Sequence, residues 1–173
     1  MKSTLIIYSS TDGQTRNICS RIGEFLCNDT PLKIISLSEV TNNDIEKYDQ
    51  VIIGASIRYG KHKKELFKFI DKNLDELTKK DNAFFSVNVV ARKPEKNTPE
   101  TNPYMQKFLL KTAWVPRKLA VFAGKIDYPK YKLIDKYAIK FIMWITKGPT
   151  DTSKTYEFTD WKAVEDFATN LDL

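Results

Sequence analysis

From residue 4 the chain reads Thr4-Leu5-Ile6-Ile7-Tyr8-Ser9-Ser10-Thr11-Asp12-Gly13-Gln14-Thr15. The first five residues are rich in β-branched and aromatic side chains, with no polar face, which predicts a buried strand. The small polar run after them reads as a loop. Beyond it, Ile18, Ile22, Phe25 and Leu26 recur at i, i+4, i+7 and i+8, the apolar face of an amphipathic helix. A buried strand feeding a helix through a polar loop opens a parallel α/β sheet.

The rest of the chain repeats the alternation. Leu32–Leu37, Gln50–Gly54, Ala83–Val90 and Leu119–Gly124 read as four further strands. Asp44–Lys47 is weakly helical, and Leu66, Phe67, Ile70, Leu74 and Leu77 form a helical face. Asn102-Pro103 starts a helix to about Thr112 as N-cap and first-turn proline. Thr159-Asp160 caps a last helix with Trp161, Val164, Phe167, Ala168 and Leu171 as its stripe. The expectation is one α/β domain over residues 1–173, a doubly wound parallel sheet of five strands in the order 2-1-3-4-5. Lys125–Phe158, 34 residues, breaks the alternation and reads as a long insertion after the fifth strand. Inside it Leu133, Ile134, Tyr137, Ala138, Phe141, Ile142 and Ile145 share a helical face, widened by Met143 and Trp144. Asp135, Lys136 and Lys140 lie elsewhere on the helix. Periodicity leaves open whether that stripe meets the sheet or a lipid surface.

Composition narrows the classes. At 173 residues, 42% hydrophobic and 29% charged, the chain is globular. It has no apolar run of spanning length, and its N-terminus does not resemble a signal peptide, so a cytoplasmic protein is expected. Cys19 and Cys27, eight residues apart on one expected helix, would stand ~12 Å apart, too far for a disulfide. With a single histidine, no metal site is expected. The net charge is +6, and residues 117–147, with 8 basic and 2 acidic side chains, equal that whole excess. Such a block suits an anionic surface.

Three loops carry chemistry. Ser10, Thr11, Asp12, Gly13, Gln14 and Thr15 offer hydroxyls, a close backbone approach and a helix N-terminus to a phosphate. No GK[ST] motif follows, which excludes a P-loop hydrolase, and Tyr8-Ser9 and Gly54-Ala55 stand where a phosphorylated receiver domain needs acids. Ser56, Ile57, Arg58, Tyr59 and Gly60 follow the third strand, where a tyrosine can stack on a flat ring and Arg58 can meet a carboxylate or an anionic ring. Ser86, Val87, Asn88 and Val89 end the fourth strand, where backbone and Asn88 amide groups can read a polar ring edge. Arg92 and Lys93 extend the positive field. His62, between lysines, reads as solvated surface. Trp114 and Trp161 read as core, and Tyr128 and Tyr131 as stacking residues or anchors.

Ser10–Thr15 resembles the FMN-phosphate loop of flavodoxins, with Asp12 where threonine is usual. The Asp12 side chain is expected to point away from the phosphate or to cap the helix. More specifically, the chain resembles the flavodoxin-like, quinone-dependent protoporphyrinogen IX dehydrogenases of bacterial haem synthesis. The matching pieces include Asp12–Arg16, Gly54–Gly60, Ser86-Val87-Asn88, Val90–Lys96, Thr98-Pro99, Thr101-Asn102, Ala123-Gly124, Thr150-Asp151-Thr152 and Thr159-Asp160-Trp161. The insertion resembles that family's extra loop. The resemblance implies a flavodoxin-like fold, FMN in the three loops, and six-electron oxidation of protoporphyrinogen IX to protoporphyrin IX, with menaquinone or ubiquinone as acceptor. It supplies no catalytic acid or base. Arg58, Arg92 and Lys93 are the candidates for the substrate propionates by charge, and the basic insertion for peripheral docking on the cytoplasmic face of the inner membrane. Two alternatives remain, a flavodoxin-type electron carrier, which the basic charge disfavours, and an NAD(P)H quinone reductase. A nucleic-acid role has no recognisable module behind it.

Overall fold

The computed structural model describes residues 2–26 and 30–172. Cys27, and with it the expected spacing from Cys19, lies outside the described residues. Five parallel strands, β1 (Thr4–Ser9), β2 (Leu32–Ser36), β3 (Gln50–Ser56), β4 (Asp81–Val87) and β5 (Lys118–Phe122), form one sheet in the order β2-β1-β3-β4-β5. This is the flavodoxin-like order expected from the alternation.

Side-chain alternation along the strands makes two cores. Leu5, Ile7, Val51, Ile53, Phe84 and Val121 face one side, beneath α3 (Lys64–Lys72), α4 (Leu74–Lys79) and α5 (Pro103–Lys111). Ile6, Ile52, Ala83, Phe85 and Ala120 face the other, beneath α1 (Gln14–Leu26) and α7 (Trp161–Thr169). Burial of each large side chain contributes about 1.5–3 kcal/mol. Asn102 caps α5 by accepting from the N–H groups of Tyr104 and Met105, and Asp160 caps α7 by accepting from Ala163. A capping box between Thr41 and Asp44 starts the short α2 (Asn42–Glu46).

Local chemistry moves several expected boundaries. The single helical face from Leu66 to Leu77 is split between α3 and α4, because Asn73 leaves helical geometry and its buried amide donates to Phe69 O at 2.8 Å. The fourth strand stops at Val87, and Val89–Arg92 is a 3₁₀ turn capped by Asn88. Trp114 is fully buried, whereas Trp161 sits half-buried at the edge and donates its indole N–H to Glu157.

The 125–158 segment is ordered. β6 (Lys125–Asp127) and β7 (Thr155–Glu157) pair antiparallel, and α6 (Leu133–Ile145) lies between them. Tyr128 is a fully buried anchor whose hydroxyl donates to Pro149 O at 2.8 Å. At the end of α6, Gly148 N–H reaches back to Met143 O and Lys147 N–H to Trp144 O, while Lys147 takes the left-handed conformation with φ 57°. This is a Schellman closure with lysine where glycine is usual.

The apolar stripe of α6 does not pack on the sheet. Leu133, Ile134, Tyr137, Phe141, Trp144 and Ile145 are each more than half exposed, and Met143 is the one fully buried residue of the helix. No helix among the described residues is long and apolar enough to cross a membrane.

Candidate functional site

The carboxyl ends of β1, β3 and β4 deliver the three loops to one edge of the sheet, beside the switch point between β1 and β3. In the first loop, Gly13 adopts φ 90° and its N–H donates to Ser10 Oγ at 2.9 Å. The first intrahelical bond of α1 runs from Asn17 N–H to Gly13 O. Helix geometry therefore leaves the N–H groups of Gln14, Thr15 and Arg16 without an acceptor inside α1, at its positive dipole end. Thr15 Oγ1 is buried and has no hydrogen-bond partner among the described residues. Ser10 accepts from Gly13 and so keeps its own proton to donate. Gln14 Nε2 donates to Glu157 Oε1 at 3.0 Å and Thr159 Oγ1 at 2.9 Å, tying the loop to the chain that leads into α7.

In the second loop, Arg58 and Lys61 form a β-bridge around Tyr59 (φ 49°) and Gly60 (φ 75°). Two successive left-handed residues make the mirror-image turn that hairpins favour. Arg58 Nη1 donates to both oxygens of Asp12, at 3.0 and 2.9 Å, and Nη2 lies 3.2 Å from Asp135 Oδ2 on α6. Asp12 is thus turned to Arg58 rather than capping α1. The guanidinium also lies 5.5 Å from the ring of Tyr59 and 5.3 Å from that of Tyr131. The Tyr59 hydroxyl donates to Asp135 Oδ1.

The third loop corrects the expectation for Asn88. Its Oδ1 accepts from Ala91 N–H and Asn102 Nδ2, and its Nδ2 donates to Ser86 Oγ and Asn102 Oδ1, so its side-chain amide is consumed in holding the turn. Of the two donor sources expected here, the backbone remains. Val89 and Val90 open the 3₁₀ turn, where their N–H groups have no acceptor within it.

Three further expectations change. His62 is buried, not solvated. Its Nε2 is 3.1 Å from Ser86 Oγ and its ring packs edge-on against Phe67, Phe84 and Phe108. Burial, with the positive charge of Lys111 as a lesser cause, pushes its pKa down to about 4. Arg92 is not directed at the cleft. It donates to Val89 O, Thr146 O and Thr146 Oγ1, fastening the end of α6, and burial lowers its pKa. Lys93 does not line the cleft either.

The loops enclose a cleft of about 880 Å³, part of it open to solvent. Ser10, Asp12, Gln14, Thr15, Ser56, Ile57, Arg58, Tyr59, Gly60, Val87, Asn88 and Val89 line it, whereas Thr11, Gly13 and Ser86 do not. Its remaining walls were not assigned to the site from sequence: Val90, Tyr104, Gly124, Lys125, Ile126, and Ile139, Ile142 and Met143 of α6, together with Tyr131, which was read as a stacking residue or an anchor. The signal was present, since Asp135, Ile139 and Met143 are spaced four apart, opposite the stronger stripe. Burial raises the pKa of Tyr131. Among the described residues no group of three or more His, Cys, Asp or Glu could hold a metal. The FMN implied by the resemblance fits these residues, since the unpartnered Thr15 hydroxyl and the free N–H groups of α1 suit a phosphate, and the apolar walls suit a flat ring.

Comparison with known proteins agrees with this geometry. The model of the Flavodoxin domain family matches residues 5–153. Flavodoxin 1 from Bacillus cereus is similar in structure, with TM-score 0.55 and 17% identity over 98% of this chain and 97% of that one. A short-chain flavodoxin associated with a non-canonical PDU bacterial microcompartment gives TM-score 0.58 and 15% identity, over 99% and 97%. These two share the fold. Protoporphyrinogen IX dehydrogenase [quinone] of Escherichia coli strain K12 is 43% identical over 97% of this chain and 93% of its own length. A protein of the same name from Leishmania major is 39% identical over 96% of this chain and 73% of its own. Identity of 43% along nearly the whole of both chains is a relationship of family as well as fold: the chain belongs to the flavodoxin-domain family and, within it, to the quinone-dependent protoporphyrinogen IX dehydrogenases.

Proposed function

We propose that this protein is an FMN-dependent oxidoreductase that oxidises protoporphyrinogen IX to protoporphyrin IX in haem biosynthesis and passes the electrons to a respiratory quinone. The observation that carries the reading is the 43% identity to the Escherichia coli enzyme, set on a cleft whose residues suit a flavin phosphate. When bound, FMN supplies two-electron redox chemistry, so that three turnovers remove six electrons and six protons from the porphyrinogen and reduce three quinones to quinols.

The chain supplies binding, orientation and exclusion of water. The N–H groups of Gln14, Thr15 and Arg16 and the hydroxyls of Thr15 and Ser10 hold the phosphate. Val89 and Val90 offer N–H groups to the polar edge of the ring. Ile126, Ile139 and Met143 keep the cleft apolar on the side of α6. Arg58 is the cation placed to receive a substrate carboxylate at the cleft mouth. The outward face of α6, with Lys132, Lys136 and Lys140 beside its exposed apolar residues, suits peripheral attachment to the cytoplasmic face of the inner membrane, where menaquinone or ubiquinone resides.

The test is an anaerobic assay of FMN-loaded protein with protoporphyrinogen IX and a soluble menaquinone analogue, followed by porphyrin fluorescence. Turnover that requires both FMN and quinone supports the reading. Porphyrin formation no faster than without enzyme overturns it in favour of an electron carrier.

A further inference from the structure

Asp135 has an unusual setting for a surface carboxylate. Each of its oxygens meets a donor from the same tight turn, Oδ2 facing Arg58 Nη2 at 3.2 Å and Oδ1 accepting from the Tyr59 hydroxyl. The left-handed backbone of Tyr59 and Gly60 gives the turn its geometry, and Asp12 fixes the guanidinium by engaging Nη1 alone. The turn is therefore a two-point carboxylate receptor at the mouth of the cleft, and the carboxylate now in it comes from α6.

We infer that Asp135 occupies the site of a substrate carboxylate, and that an entering propionate takes its place on Arg58 and Tyr59 and releases α6 from the cleft. The inference rests on the proposed function, because a porphyrinogen carries its carboxylates on short alkyl arms, as aspartate does. Two observations support exchange over a fixed structural pair. First, α6 has little else to hold it. Met143 is its one fully buried residue, with Ile139 partly buried beside it, and among the described residues its other polar fastening to the body is Arg92 on Thr146 at the far end. An element held by a few polar contacts opens at low free energy. Secondly, Arg58 faces two carboxylates, Asp12 and Asp135, both partly exposed. A third carboxylate cannot join them without like-charge repulsion, so binding requires one to leave, and Asp135 is the one carried on the loosely held helix.

The experiment uses FMN-loaded full-length protein and two stable probes, protoporphyrin IX and its dimethyl ester, at equal detergent concentration. Asp135→Ala is expected to bind protoporphyrin IX about tenfold more tightly than the parent, since the receptor is no longer self-occupied. The ester is expected to gain little. Arg58→Gln should abolish the gain, so that Asp135→Ala has no effect in that background. Asp135→Asn gives the same comparison should the alanine variant load FMN poorly. In the parent, protoporphyrin IX but not the ester should speed hydrogen exchange of residues 133–145. Unchanged or weaker protoporphyrin IX binding in both Asp135 variants overturns the inference, as does an equal gain for the ester. If the parent turns over protoporphyrinogen IX and these comparisons fail, only the exchange is wrong. If turnover fails, the function is wrong, while the probe comparison still reads the receptor as a carboxylate site.

Discussion

Thr15 holds a hydroxyl that is out of water and without a hydrogen-bond partner among the described residues, a state that costs about 1–3 kcal/mol. A bound phosphate would relieve it. Thr15→Val is therefore expected to stabilise the FMN-free protein by about 1 kcal/mol in urea unfolding while weakening FMN roughly tenfold or more in a flavin fluorescence titration. His62 makes the opposite kind of prediction. Its folded pKa of about 4 lies below its ordinary 6.5, so between those values the unfolded chain takes up a proton that the folded one refuses. Stability from this residue is complete above pH 6.5 and is lost as pH falls toward 4, by about 3 kcal/mol in all. His62→Gln should flatten that part of the stability curve in denaturation series at several pH values. The place of Thr15 in the first turn of α1 was legible in sequence because a small polar run after a buried strand reads as the loop into a helix. His62 was not, because the lysines on both sides read as solvent while the chain turns the residue between them inward.

At the scale of elements, the strands of the central sheet were legible because each is a short apolar run bounded by polar loops. The overrun of the fourth strand into Val89-Val90 has a plain cause, since apolar residues in a 3₁₀ turn look like strand until Asn88 is recognised as a cap. The content of α6 was legible and its direction was not. Helical period assigns residues to a face without saying what the face meets, and the weaker face, Asp135, Ile139 and Met143, turned inward because the cleft there accepts both an acid and two apolar groups. Its C-terminal closure offers a local test. A left-handed lysine costs about 1 kcal/mol relative to glycine. Lys147→Gly should therefore slow hydrogen exchange of the backbone amides at position 147 and Gly148 and raise the unfolding midpoint by a small margin.

At the scale of the whole molecule, the charge excess of residues 117–147 and the exposed apolar residues of α6 share one region of the chain. The basic block was visible in the sequence; that its apolar partner is unburied needed the fold. The pairing predicts flotation with phosphatidylglycerol vesicles in preference to phosphatidylcholine vesicles, weakening as salt rises. Ile134→Glu with Phe141→Glu should lower partitioning at least tenfold and leave FMN binding unchanged, because both side chains face away from the cleft. A last consequence follows from the antiparallel pairing of β6 and β7. Asp127 stands opposite Thr155, so the chain leaves for α6 and returns at almost one point. The two ends are close enough for a two-residue turn to join, although the segment between them carries Tyr128 and Met143 of the small core around Ile126. A chain with Asn-Gly in place of residues 128–154 should keep the sheet's circular dichroism and its Ser10–Thr15 loop, still tied through Gln14 to Glu157 and Thr159. The shortened chain would lose Tyr131, Ile139, Ile142 and Met143 from the cleft walls, and so would separate what the sheet edge holds from what the far wall shields.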